Sequence, residues 1–383
     1  KKISILLILQ VLLFQVVMAQ DLIEKFGEVT IADLENESYE NDSQAEAFVI
    51  FDFGASSFVV NNYSFDILFH RTTRLKILSE SGLDYAEILV PFYINKGLKE
   101  KVYDIEGIVY NLENGAIKST KLKDLDYFDE RINEHVILRK FVLPNVKKGS
   151  VIEYSYKVIS PFNYNIHDWE FQWDIPVAHS EYQVSLTPFD KYTWLLQGAT
   201  SFYSRETKKA TGLKRQFLSV NFYDQIKSYV MKDVPAFRTE KFITTRNDYI
   251  IKMDWQLVSY INTQGMEKQI VTTWSKLIKD FQKRDSYGKY IKKSEKSASK
   301  LIDLESISSK SEKERFEEVM NYVKNNYSWN KRRAYFAIES FKDFIVEKKG
   351  SSSNINLFTI GLLQAAGLEA YGVISSTRSH GII

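Results

Sequence analysis

The sequence lacks cysteine altogether, contains only 6 prolines in 383 residues, and has no excess of charge of one sign. Without cysteine, these residues form no disulfide, no thiolate metal site and no cysteine nucleophile. Lys and Arg together number 51 and Asp and Glu 49, so no basic excess favours a nucleic-acid partner. The hydrophobic fraction of 44% excludes a wholly disordered chain, and the length allows two or three domains.

Long apolar runs are also absent, except at the start of the chain. Lys1 and Lys2 precede an apolar stretch, and Ala19 is a suitable residue before a cut ahead of Gln20. This pattern predicts a secretory signal peptide over residues 1–19. The apolar stretch spans about 24 Å as a helix, less than the ~30 Å hydrocarbon core of a bilayer, which favours cleavage over a membrane anchor. We therefore expect an exported chain with no membrane span after cleavage.

Alternation of period two dominates residues 47–258, which follow a lead-in segment over residues 20–46. The apolar side chains at 152, 154, 156 and 158 alternate with polar ones, and Asn114-Gly115 accepts the positive φ angles of a tight hairpin. One apolar face per strand is typical of antiparallel sheets that pack face to face. The pattern predicts an antiparallel β-sandwich domain over residues 47–258.

The hydrophobic period becomes helical over residues 266–383. Ser311 and Glu314 have the spacing of a capping box, and residues 354–366 are apolar nearly all round, which is typical of a buried helix. Residues 370–375 then have the pattern of a buried strand. The predicted fold class is α+β, with the β-sandwich followed by a mainly helical domain.

Three segments, in order, resemble the β-rich domain of unknown function that precedes transglutaminase-like domains in secreted bacterial proteins, largely from Gram-negative envelopes. They are residues 144–154 (PNVKKGSVIEY), 171–177 (FQWDIPV) and 234–240 (VPAFRTE). The resemblance implies a location in the periplasm or cell envelope of a Gram-negative bacterium.

The C-terminal part resembles the first half of a transglutaminase-like domain, through residues 349–354 (KGSSSN), the buried helix and residues 365–370 (AAGLEA). We therefore expect residues 266–383 to form a partial transglutaminase-like, papain-like domain, truncated at its C-terminal end. In that superfamily a cysteine at the start of the buried helix is the nucleophile, and its His and Asp partners follow later in the chain. The aligned residue here is Ser352, and the His and Asp positions lie beyond residue 383. We therefore expect either a piece of a longer protein, which the initial Lys favours, or an incomplete domain.

A serine at this position changes the chemistry. A helix dipole favours a thiolate, but an alcohol has a far higher pKa and needs a base within ~3 Å. His380 is one candidate base, and a surface histidine is the alternative. Serine is also a common N-cap residue. We therefore predict a pseudoenzyme without cofactor that binds a peptide or cell-envelope polymer. The predicted groove lies at the helix start, with Gly350, Ser351, Ser352, Ser353 and Asn354 as candidate ligand-binding residues.

Two other functions remain open at this stage. The first is an active hydrolase or acyl-transferase that uses Ser352 with His and Asp residues beyond 383. The second is a carbohydrate-binding module, in which Trp169 and Trp173 share one strand face and stack on a sugar, although such pairs are usually core residues. No histidine pair has metal-ligand spacing, so no metal site is expected, and His167-Asp168 is interpreted as a loop before a strand.

Overall fold

The computed structural model describes residues 26–61, 64–123, 127–211, 214–217, 219–376 and 381. The predicted signal peptide and His380 lie outside the described residues. The described chain divides into two compact units, of which the first ends at Ile270 and the second begins at Val271. None of the described helices has the length and apolar character needed to cross a membrane.

The first unit is built almost entirely from strands, preceded by one short helix, α1 (Ile31–Glu35). The described strands are β1 (Ala47–Asn61), β2 (Ser64–Ile77), β3 (Glu87–Asn95), β4 (Leu98–Lys99), β5 (Lys101–Glu113), β6 (Ala116–Lys121), β7 (Tyr127–Arg131), β8 (Val136–Val142), β9 (Val151–Ser160), β10 (Trp169–Glu170), β11 (Val177–Leu186), β12 (Asp190–Gln197), β13 (Ser204–Lys209), β14 (Arg215–Phe217), β15 (Val220–Phe222), β16 (Gln225–Val234), β17 (Lys252–Ile261) and β18 (Glu267–Gln269).

Three sheets organise this unit. The largest has eight strands in the order β13-β16-β11-β1-β2-β9-β5-β6. A second sheet has the order β4-β3-β8-β7, and a third has β10-β17-β12 with β18 paired to β17. One hydrophobic core includes Phe69 of the large sheet, Phe92 of the second and Met253 of the third. The two smaller sheets therefore lie side by side on one face of the large sheet.

Packing between these layers is tight at Gly54 in β1. A Cβ atom added there would lie 2.2 Å from Cζ3 of Trp169, whose ring stacks on Tyr182 with 5.1 Å between centroids. Only glycine leaves room for this indole over the sheet. Trp169 is 1% exposed and belongs to the core, and so its ring face is not available to stack on a sugar.

The opposite face of the large sheet carries a buried ion pair. Nη2 of Arg74 donates to Oε1 of Glu153 at 2.8 Å, and both side chains are almost fully enclosed. Oε2 of Glu153 also accepts the Gly27 N–H at 2.7 Å, and Nζ of Lys76 donates to the Leu34 carbonyl at 2.6 Å. These contacts attach the α1 region to the sheet, because each satisfies a polar group that is buried there.

His167 gives the core a pH-sensitive group. Its ring stacks on Phe69 at 4.3 Å between centroids, and burial lowers its pKa to about 4. Between pH 6.5 and 4, His167 is therefore protonated in the unfolded chain but neutral in the folded chain. The stabilising contribution is present above pH 6.5 and is lost as the pH falls through this window.

Substitution of His167 by phenylalanine tests this dependence. Between pH 7 and pH 4 the unmodified protein should lose up to about 3 kcal/mol more unfolding free energy than His167→Phe, since one pKa unit is worth about 1.4 kcal/mol. Urea unfolding of both proteins across this range measures the difference. The other titrating groups are common to both proteins, and equal pH profiles would contradict the interpretation.

The second unit is mainly helical. Its elements are α2 (Trp274–Lys283), α3 (Gly288–Ser297), α4 (Leu304–Ser308), α5 (Glu312–Asn326), α6 (Phe341–Glu347), α7 (Ser352–Ala365) and the paired two-residue strands β19 (Ser328–Trp329) and β20 (Lys349–Gly350). Helix α7 lies in the centre, with Phe358 and Leu362 fully buried, and the predicted capping box at Ser311 and Glu314 is present. A Cβ at Gly361 would lie 2.5 Å from the Ile291 carbonyl, so α3 and α7 pack closely.

The structure corrects three expectations. The sandwich is not purely antiparallel, because β1 pairs with β11 in parallel. Residues 171–173 do not continue strand β10, which ends at Glu170. Residues 370–375 are mostly exposed and form no strand, since the described part of the chain offers no strand beside them for ladder hydrogen bonds.

Candidate functional site

A groove of about 510 Å³ lies at the amino end of α7, within the second unit. Ser352 and Ser353 form part of its lining, together with Trp329 at the end of β19, Arg333 from the segment that follows, and Gly372. The groove therefore brings together the start of the buried helix and two loops that are distant in sequence.

The five predicted ligand-binding residues divide into two groups. Ser352 and Ser353 reach the groove, whereas Gly350, Ser351 and Asn354 support its wall. Ser351 is the N-cap of α7, and its Oγ accepts the Asn354 N–H at 3.3 Å. Gly350 lies against Phe344, since an added Cβ would be 2.6 Å from Cδ2 of that ring.

Asn354 holds this wall in place through a satisfied buried network. Its Oδ1 accepts the N–H groups of Ile338 and Glu339 at 3.0 and 3.3 Å and the Ser351 hydroxyl at 2.6 Å. Its Nδ2 donates to the Tyr290 hydroxyl at 2.9 Å and to the Glu339 carbonyl at 2.8 Å. Burial raises the pKa of Tyr290, so its hydroxyl stays protonated. The amide thus fixes residues 338–339 against the helix start.

Two N–H donors beside Ser352 point at one oxygen. The Ser352 N–H donates to the Arg332 carbonyl at 3.0 Å, and Nε1 of Trp329 donates to the same oxygen at 2.9 Å. Paired N–H donors about 3 Å from a single oxygen are the arrangement that stabilises a carbonyl or an oxyanion. In this structure, the protein's own main chain occupies the position.

The groove offers Ser352 no base. Its Oγ accepts the Ala334 N–H at 3.3 Å. Among the described residues that line the groove, none is His, Asp or Glu, and Arg333 is the charged one. The described histidines, 70, 135, 167 and 179, all belong to the first unit. The described lining is thus suited to hold an anionic or carbonyl oxygen.

Trp329 and the Arg332 carbonyl were not predicted, because the acceptor is a backbone oxygen, which residue type does not reveal, and the role of the indole depends on it. The described residues contain no cluster of three or more potential metal ligands from His, Asp and Glu.

Sequence comparison bears on the first unit. Residues 67–221 match the family model described as a Domain of Unknown Function with solved-structure structure (DUF3857). Residues 67–221 form a DUF3857 domain. This confirms a domain of unknown function within the predicted β-rich region, and the matched residues contain the whole of β3 to β14. No curated protein shows significant similarity to the chain.

Solved structures resemble the chain at low identity. A crystal structure described as a "putative protease" from Parabacteroides distasonis ATCC 8503 is 13% identical, with a TM-score of 0.53 over 84% of this chain and 59% of that one. The chain therefore spans about 59% of that protein's length, and the likeness is one of fold.

Two further structures come from Legionella pneumophila, each 9% identical. One is described as a "putative nutrient binding protein" (TM-score 0.21; 55% of this chain and 68% of that one), and the other is aminopeptidase A in complex with aspartic acid (TM-score 0.22; 59% and 24%).

Proposed function

We propose that the chain is an exported protein of a Gram-negative cell envelope whose second unit is a transglutaminase-like domain that binds a peptide or envelope polymer without catalysis. The signal-peptide pattern over residues 1–19 supports export. The segments at 349–354 and 365–370, which resemble the family on either side of the buried helix, support the transglutaminase-like assignment, with Ser352 in place of the catalytic cysteine.

The occupied donor pair beside Ser352 carries this proposal. A catalytic site needs a free oxyanion position and an activated nucleophile. Here the Arg332 carbonyl receives both N–H groups, and Oγ of Ser352 accepts an N–H from the main chain. These contacts favour a site in which a ligand oxygen replaces the Arg332 carbonyl oxygen, which amounts to binding without catalysis.

The same geometry indicates which ligand group would bind. A carboxylate or amide oxygen of a peptide would replace the Arg332 carbonyl on the two donors. The positive end of the α7 dipole and the Arg333 guanidinium both favour a negative ligand. The proposed ligand is therefore a peptide segment that presents a carboxylate or an amide to the start of α7.

Substitution of Ser352 by tryptophan tests the groove. A fluorescein-labelled pentapeptide that contains glutamine and a free C-terminal carboxylate serves as the probe, with anisotropy as the measurement. The indole should fill the groove and abolish binding, whereas Ser309→Trp, at an exposed position in the same unit, should leave it unchanged. Unchanged binding by Ser352→Trp would count against the site.

The charge contribution is measured separately. Arg333→Ala should weaken binding of the same peptide about tenfold, which corresponds to the ~1.4 kcal/mol of one charge-assisted contact. Lys331→Ala is the matched control, because Lys331 is a positive residue two positions before Arg333 that does not line the groove. Equal losses in the two variants would show that general positive charge, not this contact, attracts the peptide.

A second candidate, an active serine hydrolase or acyl-transferase, is favoured by the converging N–H donors themselves. It requires that the Arg332 carbonyl withdraw and that a base come from outside the described residues. A fluorophosphonate probe applied to the full-length protein distinguishes the two functions. Labelling that disappears in Ser352→Ala would support the hydrolase, and the absence of labelling would support the binding protein.

A further inference from the structure

A cleft runs between the two smaller sheets of the first unit. Its floor is the large sheet, which contributes Phe69 and Arg71 from β2 and Tyr156 from β9. Residues 89–93 of β3 form one wall, and residues 165–174 form the other. The cavity measures about 500 Å³, and it adjoins a second one of about 510 Å³ that shares Arg71 and Tyr156.

The cleft has a strong excess of acidic side chains. Two arginines line it, and both are already paired: Arg71 with Asp52 at 2.6 Å, and Arg246 with Glu170 at 2.8 Å. No other described residue forms an ion pair with the remaining carboxyl groups of the lining. These are Glu100, Asp168 and Asp174 in the cleft, and Glu46, Asp84 and Glu87 in the adjoining cavity.

Desolvation makes the ionised forms of two of these carboxyl groups, Glu100 and Asp168, unfavourable without a counter-ion. Glu100 is 4% exposed, and burial raises its pKa. Asp168 lies at the exposed mouth of the cleft, yet desolvation raises its pKa to about 6; the Asp254 and Glu170 carboxylates add to this effect, whereas the Trp255 N–H and the Lys252 ammonium oppose it. A cation in the cleft would stabilise both ionised groups.

An independent observation points to a missing hydrogen-bond partner. Nδ1 of His167 is buried and has no partner among the described residues, although its ring lines the cleft. Buried polar atoms in folded proteins are nearly always paired, so an orphaned one in a cavity indicates a ligand position. Since burial keeps the imidazole neutral, Nδ1 can accept a hydrogen bond from an N–H donor.

The aromatic walls also suit a cation. The Arg71 guanidinium lies 4.8 Å from the Trp169 ring centroid and 5.2 Å from that of Trp173. The cleft thus already holds one cation against indole faces, and Tyr93 and Tyr156 add further rings to its lining. Aromatic rings combined with carboxylates are the usual recognition elements for ammonium groups.

We propose that this cleft binds a ligand that carries a primary ammonium group, either the amino terminus or a lysine-type side chain of a peptide. Asp168 and Glu100 supply the charge, His167 accepts a hydrogen bond, and the aromatic walls contact the ligand. The site lies in the first unit and goes beyond the function proposed for the Ser352 groove.

Isothermal titration calorimetry on the full chain at pH 7.0 and low ionic strength tests the site. Nα-acetyl-lysine methylamide presents a side-chain ammonium, and alanine amide presents an α-ammonium. The probe that binds with the higher affinity identifies which kind of ammonium group the cleft recognises. The Nε-acetylated form of the lysine probe, which has lost its charge, should bind at least tenfold more weakly than the charged form.

Conservative variants locate the binding. Asp168→Asn retains an acceptor for the Trp255 N–H, and Glu100→Gln retains one for the Tyr93 N–H, which these carboxylates accept at 2.7 and 2.8 Å. Each variant should bind the ammonium probe with at least fivefold lower affinity than the unmodified protein. Glu206→Gln, on strand β13 outside the cleft, should not change its affinity, and unfolding midpoints confirm that the variants are folded.

Three results would overturn the proposal: no heat from either ammonium probe with the unmodified protein, equal affinity for the neutral acetylated form, or unchanged affinity in both cleft variants. Ser352→Trp separates the two sites. Loss of ammonium binding in that variant would assign the probe to the groove and refute the cleft, whereas retention would support the cleft whatever the fate of the groove.

Discussion

Replacement of Arg74 by methionine is expected to lower the unfolding free energy of the first unit by about 3–5 kcal/mol. The substitution leaves the Glu153 carboxylate, which is fully buried, without its cation. The remaining contacts of this carboxylate, the Gly27 N–H and the Tyr110 hydroxyl, are neutral and compensate only partly. Urea unfolding, followed by hydrogen exchange in peptides from β2 and β9, measures the loss.

The double variant Arg74→Met/Glu153→Leu provides the internal comparison. Removal of both charges eliminates the unpaired carboxylate, and we expect it to restore at least half of the lost stability. Arg131→Met, at an exposed position, should change stability by less than about 0.5 kcal/mol. If Arg74→Met alone were as stable as Arg131→Met, the buried ion pair would contribute nothing to stability.

Replacement of Asn354 by leucine should have an effect of similar size in the second unit. It would leave the partly buried N–H groups of Ile338 and Glu339 and the Glu339 carbonyl without their partner. A fully buried group of this kind costs about 1–3 kcal/mol, and since these three retain some solvent access we expect a total loss of about 3 kcal/mol. Peptide binding at the groove should fail with it, because residues 338–339 would no longer be held against α7.

Two comparisons define the origin of that loss. Asn354→Asp keeps the acceptor for the two N–H groups but loses both Nδ2 donors, and its destabilisation should lie between those of the leucine variant and the unmodified chain. Asn356→Leu is the matched control at an exposed position of the same helix. Thermal unfolding resolves the order, and equal effects of Asn354→Leu and Asn356→Leu would exclude a role for the network.

Local patterns predicted much of the fold. The Asn114-Gly115 hairpin joins β5 to β6 with both residues at positive φ, as the dipeptide indicates. The capping box starts α5 at Ser311, and the apolar segment near residue 354 forms the buried helix α7. In each case, residues close in sequence determine the structure, so the sequence signal is direct.

Long-range pairing escaped prediction. Val49 of β1 pairs in parallel with Val177 of β11, and nothing in either segment specifies the direction of a partner so distant in sequence. The alternation at Trp169 and Trp173 is typical of one strand, yet the strand ends at Glu170, and Trp169 is buried whereas Trp173 is only partly buried. The position of His167 and Asp168 in a cleft depends on β3 and on the large sheet, which are distant in sequence, so the dipeptide itself did not predict it.

The order of the large sheet leaves β13 and β6 as its two outermost strands. Unpaired edges can recruit a strand from another molecule and so begin aggregation. Both carry solvent-exposed lysines, Lys208 and Lys209 on β13 and Lys118 and Lys121 on β6. Burying these ammonium groups between two sheets would be unfavourable, so the composition of the borders disfavours intermolecular sheet extension at high protein concentration.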